Sequence, residues 1–442
     1  MLDLRFAAAT HTSNGGPVTL ETVFTMEASS IKFGIGATRE VGFEMRQLGA
    51  RRVMVLVDPN LVEGETEVTA LAALGEEGID TAVFDQVRIE PSEDSFREAA
   101  AFATEGRFDG YVAIGGGSTM DTAKAANLYA TRPADFFDYV NAPIGKGTPV
   151  PGPLAPMVAI PTTAGTGSET TGVAIFDMPD LHAKTGIAHR FLRPRLGIID
   201  PNNTRTLPKT AVACTALDVF CHALESMTAM PFDRREAPAH FSLRPAYQGA
   251  NPISHIWASR AAEIGARYMY RAMEDPDDVE ARTQMILAST MAGVGFGSAG
   301  VTLPHGMSYP IAGLVRDYKP EGYQVDHALI PHGMAVILTA PAAFRFMGPA
   351  NPEMFLYAVR AIGVDVADAG PEDGGEILAR AVIDVMKRLG MPNGLREVGY
   401  TPDDVEALVE GVLPQHRVTK LSPRPAGAAD FRQMFLDSMT IW

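Results

Sequence analysis

Short apolar runs alternate with segments of helical spacing between residues 52 and 160, and this alternation constrains the fold more than any other feature of the chain. Residues 52–57 (RVMVLV), 81–84, 110–114 (GYVAI) and 157–160 read as strands, while 65–74 and 93–104 between them carry helical periodicity. Runs that are apolar throughout belong to strands buried on both faces, so the intervening helices become the covers and crossovers of a parallel sheet. From Pro208 the pattern changes. Segments 211–227, 253–273, 279–294, 333–346, 375–389 and 429–439 read as helices, and no strand of comparable strength remains. The Asn-, Thr- and Pro-rich stretch DPNNTRTLPKT, 200–210, marks the expected hinge between an α/β domain, 1–207, and a helical domain, 208–442. A long loop, 231–252, is expected to interrupt the helices.

Two glycine-rich strings follow strands directly. In GGGSTMDTAK, 115–124, the glycines let backbone amides approach a phosphate, and the helix that follows turns its positive end to it. Ser118 and Asp121 have the spacing of an N-terminal capping pair. The string is not GxGxxG, so alone it also fits a plain strand-to-helix turn. IPTTAGTGSETT, 160–171, repeats the arrangement after the next strand, with Thr162, Thr163, Thr166 and Ser168 as hydroxyl donors. Two such loops at the ends of two strands of one sheet point to a shared nucleotide site that includes Gly116 and Gly117. Asp58 closes the first of the four strands, where a carboxylate takes a ribose 2′-hydroxyl and repels a 2′-phosphate; that favours NAD over NADP.

The second half carries a different chemistry. In ALDVFCHALES, Asp218 and His222 stand i, i+4 on one helix face and can address the same ion. His305 in LPHGMSYP and His332 in IPHGMAV share the string PHGM, each at the start of a helical stretch. One carboxylate and three imidazoles suit Fe(II), Zn(II), Ni(II) or Mn(II), and the lack of thiolates argues against a purely structural zinc site. His327, five residues before His332, is a candidate for the pocket wall, whereas His11, His182, His189, His240, His255 and His416 lack partner spacing.

Charge and cysteine usage set limits. With 37 basic and 53 acidic residues, a formal net charge of −16, the chain has no basic excess for nucleic acid or anionic lipid. No window reaches 18 apolar residues. Cys214 and Cys221 lie two helical turns apart, about 10 Å, too far to bridge. Residues 1–18 show neither a signal-peptide core nor an Arg-rich transit pattern, so a reducing, cytoplasmic location is expected.

The set GGGSxxDxxK, TTAGTGSE, DxxxH and two later His-Gly strings resembles the iron-dependent, group III alcohol dehydrogenases over nearly the whole chain. RPAYQGANPIS, HGMSYPIAGLV, YQVDHALIPHG and LPQHRVTKLSPRP are most similar to the hydroxyacid-oxoacid transhydrogenase branch of that family. The resemblance implies a dehydroquinate synthase-like fold, an α/β dinucleotide-binding domain plus an all-α domain with the active site in the cleft, and a homodimer. It places Asp218, His222, His305 and His332 on the metal ligands, with Fe(II) the expected ion and Zn(II) the second candidate. It places Gly116, Gly117, Ser118, Asp121, Thr162, Thr163, Thr166 and Lys184 near NAD. Many members carry histidine where this chain has Tyr309, which leaves the proton path open among water, the ribose hydroxyl and Tyr309. The implied reaction is hydride transfer from a small hydroxyacid such as 4-hydroxybutyrate to the cofactor, and on to 2-oxoglutarate. The alternatives are an alcohol dehydrogenase that releases its cofactor each turnover and a dehydroquinate synthase-like lyase. A hydroxyacid needs a cation for its carboxylate, and Arg244, Arg316, Lys319, Arg417, Lys420 and Arg424 are the candidates.

Overall fold

A computed structural model describes residues 11–13, 16–178, 183–325 and 327–442. The initial segment 1–10 and His182 therefore lie outside the described residues. Eight strands matter for the site: β1 (Ser30–Phe33), β2 (Arg52–Val57), β3 (Asp80–Phe84), β4 (Gly110–Gly115), β5 (Met157–Pro161), β6 (Val173–Met178), β7 (Ala183–Ala188) and β8 (Leu196–Ile199). Six of them form one parallel sheet in the order β1-β8-β5-β4-β2-β3. β4 and β5 are buried throughout and β2 from Val53 onward, as continuous apolar runs require.

Alternation along these strands assigns the covers. Val53, Val55 and Val57 pack with α1 (Val41–Gln47) and α2 (Glu65–Glu76), while Met54 and Leu56 pack with α3 (Glu93–Gly106) and α4 (Gly117–Thr131). Sequential strands β2 and β3 run one way across the sheet, and β4 returns to the other side of β2. The crevice at the carboxyl ends of β2 and β4 is therefore a topological switch point, the place where open α/β sheets bind ligands. Asp58 and the glycine string meet there, since Val57 pairs with Ile114 and the Asp58 N–H donates to the Ile114 carbonyl at 3.1 Å.

The second half is helical: α5 (Lys209–Thr228), α6 (Pro252–Glu274), α7 (Val279–Ala299), α8 (Leu303–Gly313), α9 (His332–Ile337), α10 (Ala340–Met347), α11 (Pro352–Ala361), α12 (Gly374–Arg388), α13 (Val405–Val412) and α14 (Ala428–Asp437). α5 is buried almost all round over 213–228 and forms the axis of this half. Among the described residues no single helix is long and apolar enough to cross a membrane.

Three elements differ from expectation. The helix expected over 333–346 is broken into α9 and α10, because Pro341 in the first turn of α10 cannot donate a backbone hydrogen bond to the preceding turn. β1 and β8, four residues each, are too short to stand out as apolar runs. The antiparallel hairpin β6–β7, set beside the sheet, carries Gly and Lys in its second strand instead of clean alternation.

Close approach of α9 to α5 depends on Gly333, where a Cβ would lie 1.9 Å from the Cys214 carbonyl oxygen and 3.0 Å from the Asp218 Cβ. Gly333→Ala is expected to cost about 1–3 kcal/mol and to lower Tm in thermal unfolding. Gly75→Ala, on α2 with open space around the new methyl, is expected to leave Tm unchanged or slightly raised.

Candidate active site

α5 carries three polar side chains in an otherwise apolar stretch: Asp218, His222 and Glu225, at i, i+4 and i+7 on one face. The two PHGM strings begin helices aimed at that face. Proline pre-sets the helix start, histidine falls in the first turn, and glycine lets the helix press onto its neighbour. For Gly306 that neighbour is Thr419, 2.8 Å from a would-be Cβ. The outcome is a cluster around one oxygen. Asp218 Oδ1 lies 3.7 Å from His222 Nε2, 3.6 Å from His305 Nε2 and 3.8 Å from His332 Nε2. Asp218, His222 and His305 present ligand atoms all within 4.8 Å of one another.

Neighbours fix the rings. His305 Nδ1 donates to Glu225 Oε1 at 2.6 Å, which turns Nε2 toward Asp218. His222 stacks on Phe296 with centroids 4.0 Å apart and planes 10° from parallel. Burial opposes charge on all three imidazoles. It drives His222 down to about 3 and lowers His332, whereas on His305 Glu225 and then Asp218 outweigh it and carry the pKa up to about 10. Asp218 is held ionised: burial works against its charge, but His222, then His332 and His305, more than offset it. Asp218 Oδ1 and His305 Nε2 are buried without a hydrogen-bond partner. Buried polar atoms are rarely left so, and one carboxylate with converging imidazoles is a donor set for a divalent ion.

The glycine loops lie on the other side of the same cavity. Gly116 precedes α4 and no side chain caps it, leaving the first amides of that helix unpaired by side chains. The capping pair expected of Ser118 and Asp121 is not formed. Ser118 Oγ accepts from the Glu90 N–H at 3.1 Å, while Asp121 accepts from the Ser168 hydroxyl at 2.7 Å and the Ile175 N–H at 2.9 Å. These partners come from distant segments, so local spacing did not disclose them. The two loops touch: a Cβ on Gly116 would meet Thr163 at 3.1 Å, and one on Gly117 would meet Thr166 at 2.7 Å. Fully buried Lys124 ties them, donating to Ser168 Oγ at 2.5 Å and the Val173 carbonyl at 2.8 Å. Asp58 accepts from the Asn60 N–H at 2.9 Å and faces the cleft. Lys184 is buried against Glu90 and Asp177, whose charges outweigh the burial that would neutralise it and raise its pKa.

One cavity of about 400 Å³ joins these parts. Its lining includes every residue expected at the cofactor and metal, namely Asp58, Gly116, Gly117, Ser118, Asp121, Thr162, Thr163, Thr166, Ser168, Lys184, Asp218, His222, His305 and His332, together with Tyr309. His327 is not among the lining residues. Of the six cations expected to hold a carboxylate, Arg417 lines the cavity and five do not. Arg244 is committed to Glu21 at 3.0 Å, Arg316 grips Asp404 on the surface, Arg424 lies 4.0 Å over Phe346, Lys420 is exposed, and Lys319 is also outside the lining. For Arg316, Lys319, Lys420 and Arg424, nearness to His305 or Arg417 in sequence does not survive the turns between them. Glu90, Glu225, Tyr247, Phe296 and Tyr323 were not anticipated. Glu225 had a signal as a third polar residue on the Asp218 face, and Tyr247 and Tyr323 lie in strings shared with the transhydrogenase branch.

Comparison with known proteins now decides the lineage. Residues 28–201 match the family model "Iron-containing alcohol dehydrogenase", and 246–439 match "Fe-containing alcohol dehydrogenase family, C-terminal". This chain belongs to the iron-containing alcohol dehydrogenase family. It is 50% identical over 426 residues to the mitochondrial hydroxyacid-oxoacid transhydrogenase of Mus musculus, covering 96% of this chain and 92% of that protein. Among solved structures, 1,3-propanediol oxidoreductase matches with a TM-score of 0.82 at 26% identity, over 94% of this chain and all of that one (100%). Sulfoacetaldehyde reductase from Bifidobacterium kashiwanohense, in complex with NAD+, matches with a TM-score of 0.76 at 25% identity, over 94% and 98% of the two chains. The expected cytoplasmic location is overturned by the mouse relative, which is named as mitochondrial. The two buried free cysteines do not separate one compartment from another.

In this member of the iron-containing alcohol dehydrogenase family, Glu225→Gln keeps a hydrogen-bond partner for His305 but removes the charge behind it. Metal affinity is expected to fall about 10- to 100-fold, measured by competition with a chromogenic chelator, with far-UV circular dichroism unchanged.

Proposed function

We propose that the protein is a metal-dependent hydroxyacid-oxoacid transhydrogenase, passing hydride from a small hydroxyacid such as 4-hydroxybutyrate to bound NAD and from there to 2-oxoglutarate. The observation that carries the reading is the single cavity in which the Asp218 cluster faces the two glycine loops. When bound, a divalent ion, Fe(II) with Zn(II) as second candidate, polarises the carbinol or carbonyl oxygen, and the nicotinamide supplies the hydride acceptor.

The chain's own residues do the rest. Asp218, His222, His305 and His332 hold the ion, with Glu225 orienting His305 and Phe296 bracing His222. Gly116 and Gly117 bring backbone N–H groups to the diphosphate, and Thr162, Thr163, Thr166 and Ser168 surround it with hydroxyls. Asp58 takes the ribose 2′-hydroxyl. Lys184, pinned by Glu90 and Asp177, lies where the cavity passes from the cofactor loops toward His332, and its cation offsets the acidic side chains there. Asp121 serves from behind, through Ser168 and the Ile175 amide. A division at 207/208 is supported by the end of the sheet at Ile199 and the start of α5 at Lys209.

The deciding experiment incubates metal-loaded enzyme with 4-hydroxybutyrate and 2-oxoglutarate without added NAD. Equal amounts of succinic semialdehyde and 2-hydroxyglutarate are expected. Product only on adding NAD means an ordinary dehydrogenase that releases its cofactor, and no product under either condition rejects hydroxyacid oxidation. Removing the Asp58 carboxylate, as in Asp58→Ser, is expected to narrow the preference for NAD over NADP by about tenfold in Kd, read by fluorescence titration.

A further inference from the structure

Arg417 is the one cavity cation, among the described residues, whose mapped partners are all neutral. Lys184, the lysine in the lining, is paired with Glu90 and Asp177. Arg417 instead donates from Nη2 to the Tyr309 hydroxyl oxygen at 2.6 Å and lies 4.9 Å from the Tyr247 ring centroid. Its Nη1 is shielded from solvent and has no hydrogen-bond partner. A buried guanidinium without a counter-charge is costly, and the planar fork matches a carboxylate. Because the Tyr309 oxygen accepts from Arg417, its own O–H is left available to donate to a second acceptor.

The position of this pair sets a length. Tyr309 follows His305 by four residues on α8, so the two side chains leave one helix face about 6 Å apart. An apolar ring joins the two ends: Phe296 stacks on His222 at 4.0 Å and meets Tyr247, the ring beside Arg417, edge-on at 6.3 Å. An acid whose reacting carbon is separated from its carboxylate carbon by two methylenes puts four bonds, roughly 5 Å, between reacting oxygen and carboxylate carbon. Its methylenes then lie along Phe296. An oxoacid with the same two methylenes between its keto carbon and its distal carboxylate has the same span, so one anchor suits both donor and acceptor.

We propose that Arg417 and Tyr309 form the clamp for the distal carboxylate and that they select substrates by this two-methylene spacing. The inference rests on the hydroxyacid reading above, and it is tested on the holoenzyme by comparing kcat/KM for 3-hydroxypropanoate, 4-hydroxybutanoate, 5-hydroxypentanoate and uncharged 1-butanol. The wild type is expected to favour 4-hydroxybutanoate. In Arg417→Gln, the ratio of kcat/KM for 4-hydroxybutanoate to that for 1-butanol is expected to fall about 10- to 100-fold, with Arg417→Lys intermediate. Tyr309→Phe supplies the same readout if Arg417→Gln does not fold, with a smaller fall in the ratio. A ratio unchanged in the folded variants, both substrates losing together, overturns the clamp, as does a wild type indifferent to chain length. A wild type that oxidises none of the hydroxyacids defeats the hydroxyacid reading itself, a result distinct from loss of the clamp alone.

Discussion

A carboxylate buried on an apolar helix has to be compensated, and Asp218 is that carboxylate. Its position at the centre of α5 obliges the surrounding helices to bring it positive charge or donors. α8 and α9 do so with His305 and His332, and His222 comes from α5 itself. Phe296 on α7 and Glu225 one turn further along α5 then hold the imidazoles in place. The helical half is arranged so that two helix starts and the middle of α5 converge on one oxygen. Gly333 allows the approach of α9, because a side chain there would meet the Cys214 carbonyl of α5.

The loops after β4 and β5 offer helix-terminal amides and hydroxyls, groups that can meet an anion without net positive charge. The formal charge of −16 therefore says little about the cleft. Lys124 and Lys184 are buried there, but each is neutralised by neighbouring carboxylates and acts mainly to lock loops together. Arg417 is different: its partners are tyrosines, so its charge remains to be met by whatever enters the cavity.

Much of this was legible from local pattern. The four apolar runs became strands of the parallel sheet, and five of the six helices expected in the second half formed with shifted ends. The glycine strings and the two PHGM strings carry their reasons within a few residues: backbone freedom, a proline start, a histidine in the first turn. The short strands β1 and β8, the β6–β7 hairpin and the break at Pro341 were not legible with the same ease. Their signals are brief or compete with a stronger helical period. Glu90 and Asp177, which pin Lys184, gave no sequence signal, because each is meaningful only beside a residue far along the chain.

The sequence alone expressed the parts of the site within single turns or strands: a parallel sheet with glycine loops at two strand ends, an Asp-His helix face and two matching histidine strings. Tertiary structure decided which charges matter. Six cations were equal candidates for the substrate, and folding placed Arg417 in the cavity while committing Arg244 to Glu21 and Arg316 to Asp404. It also turned Asp121 away from the expected cap and toward Ser168. The physical reason is that spacing along a helix or strand reports faces, whereas pairing of charges depends on which faces meet, and that is settled only when the whole core packs.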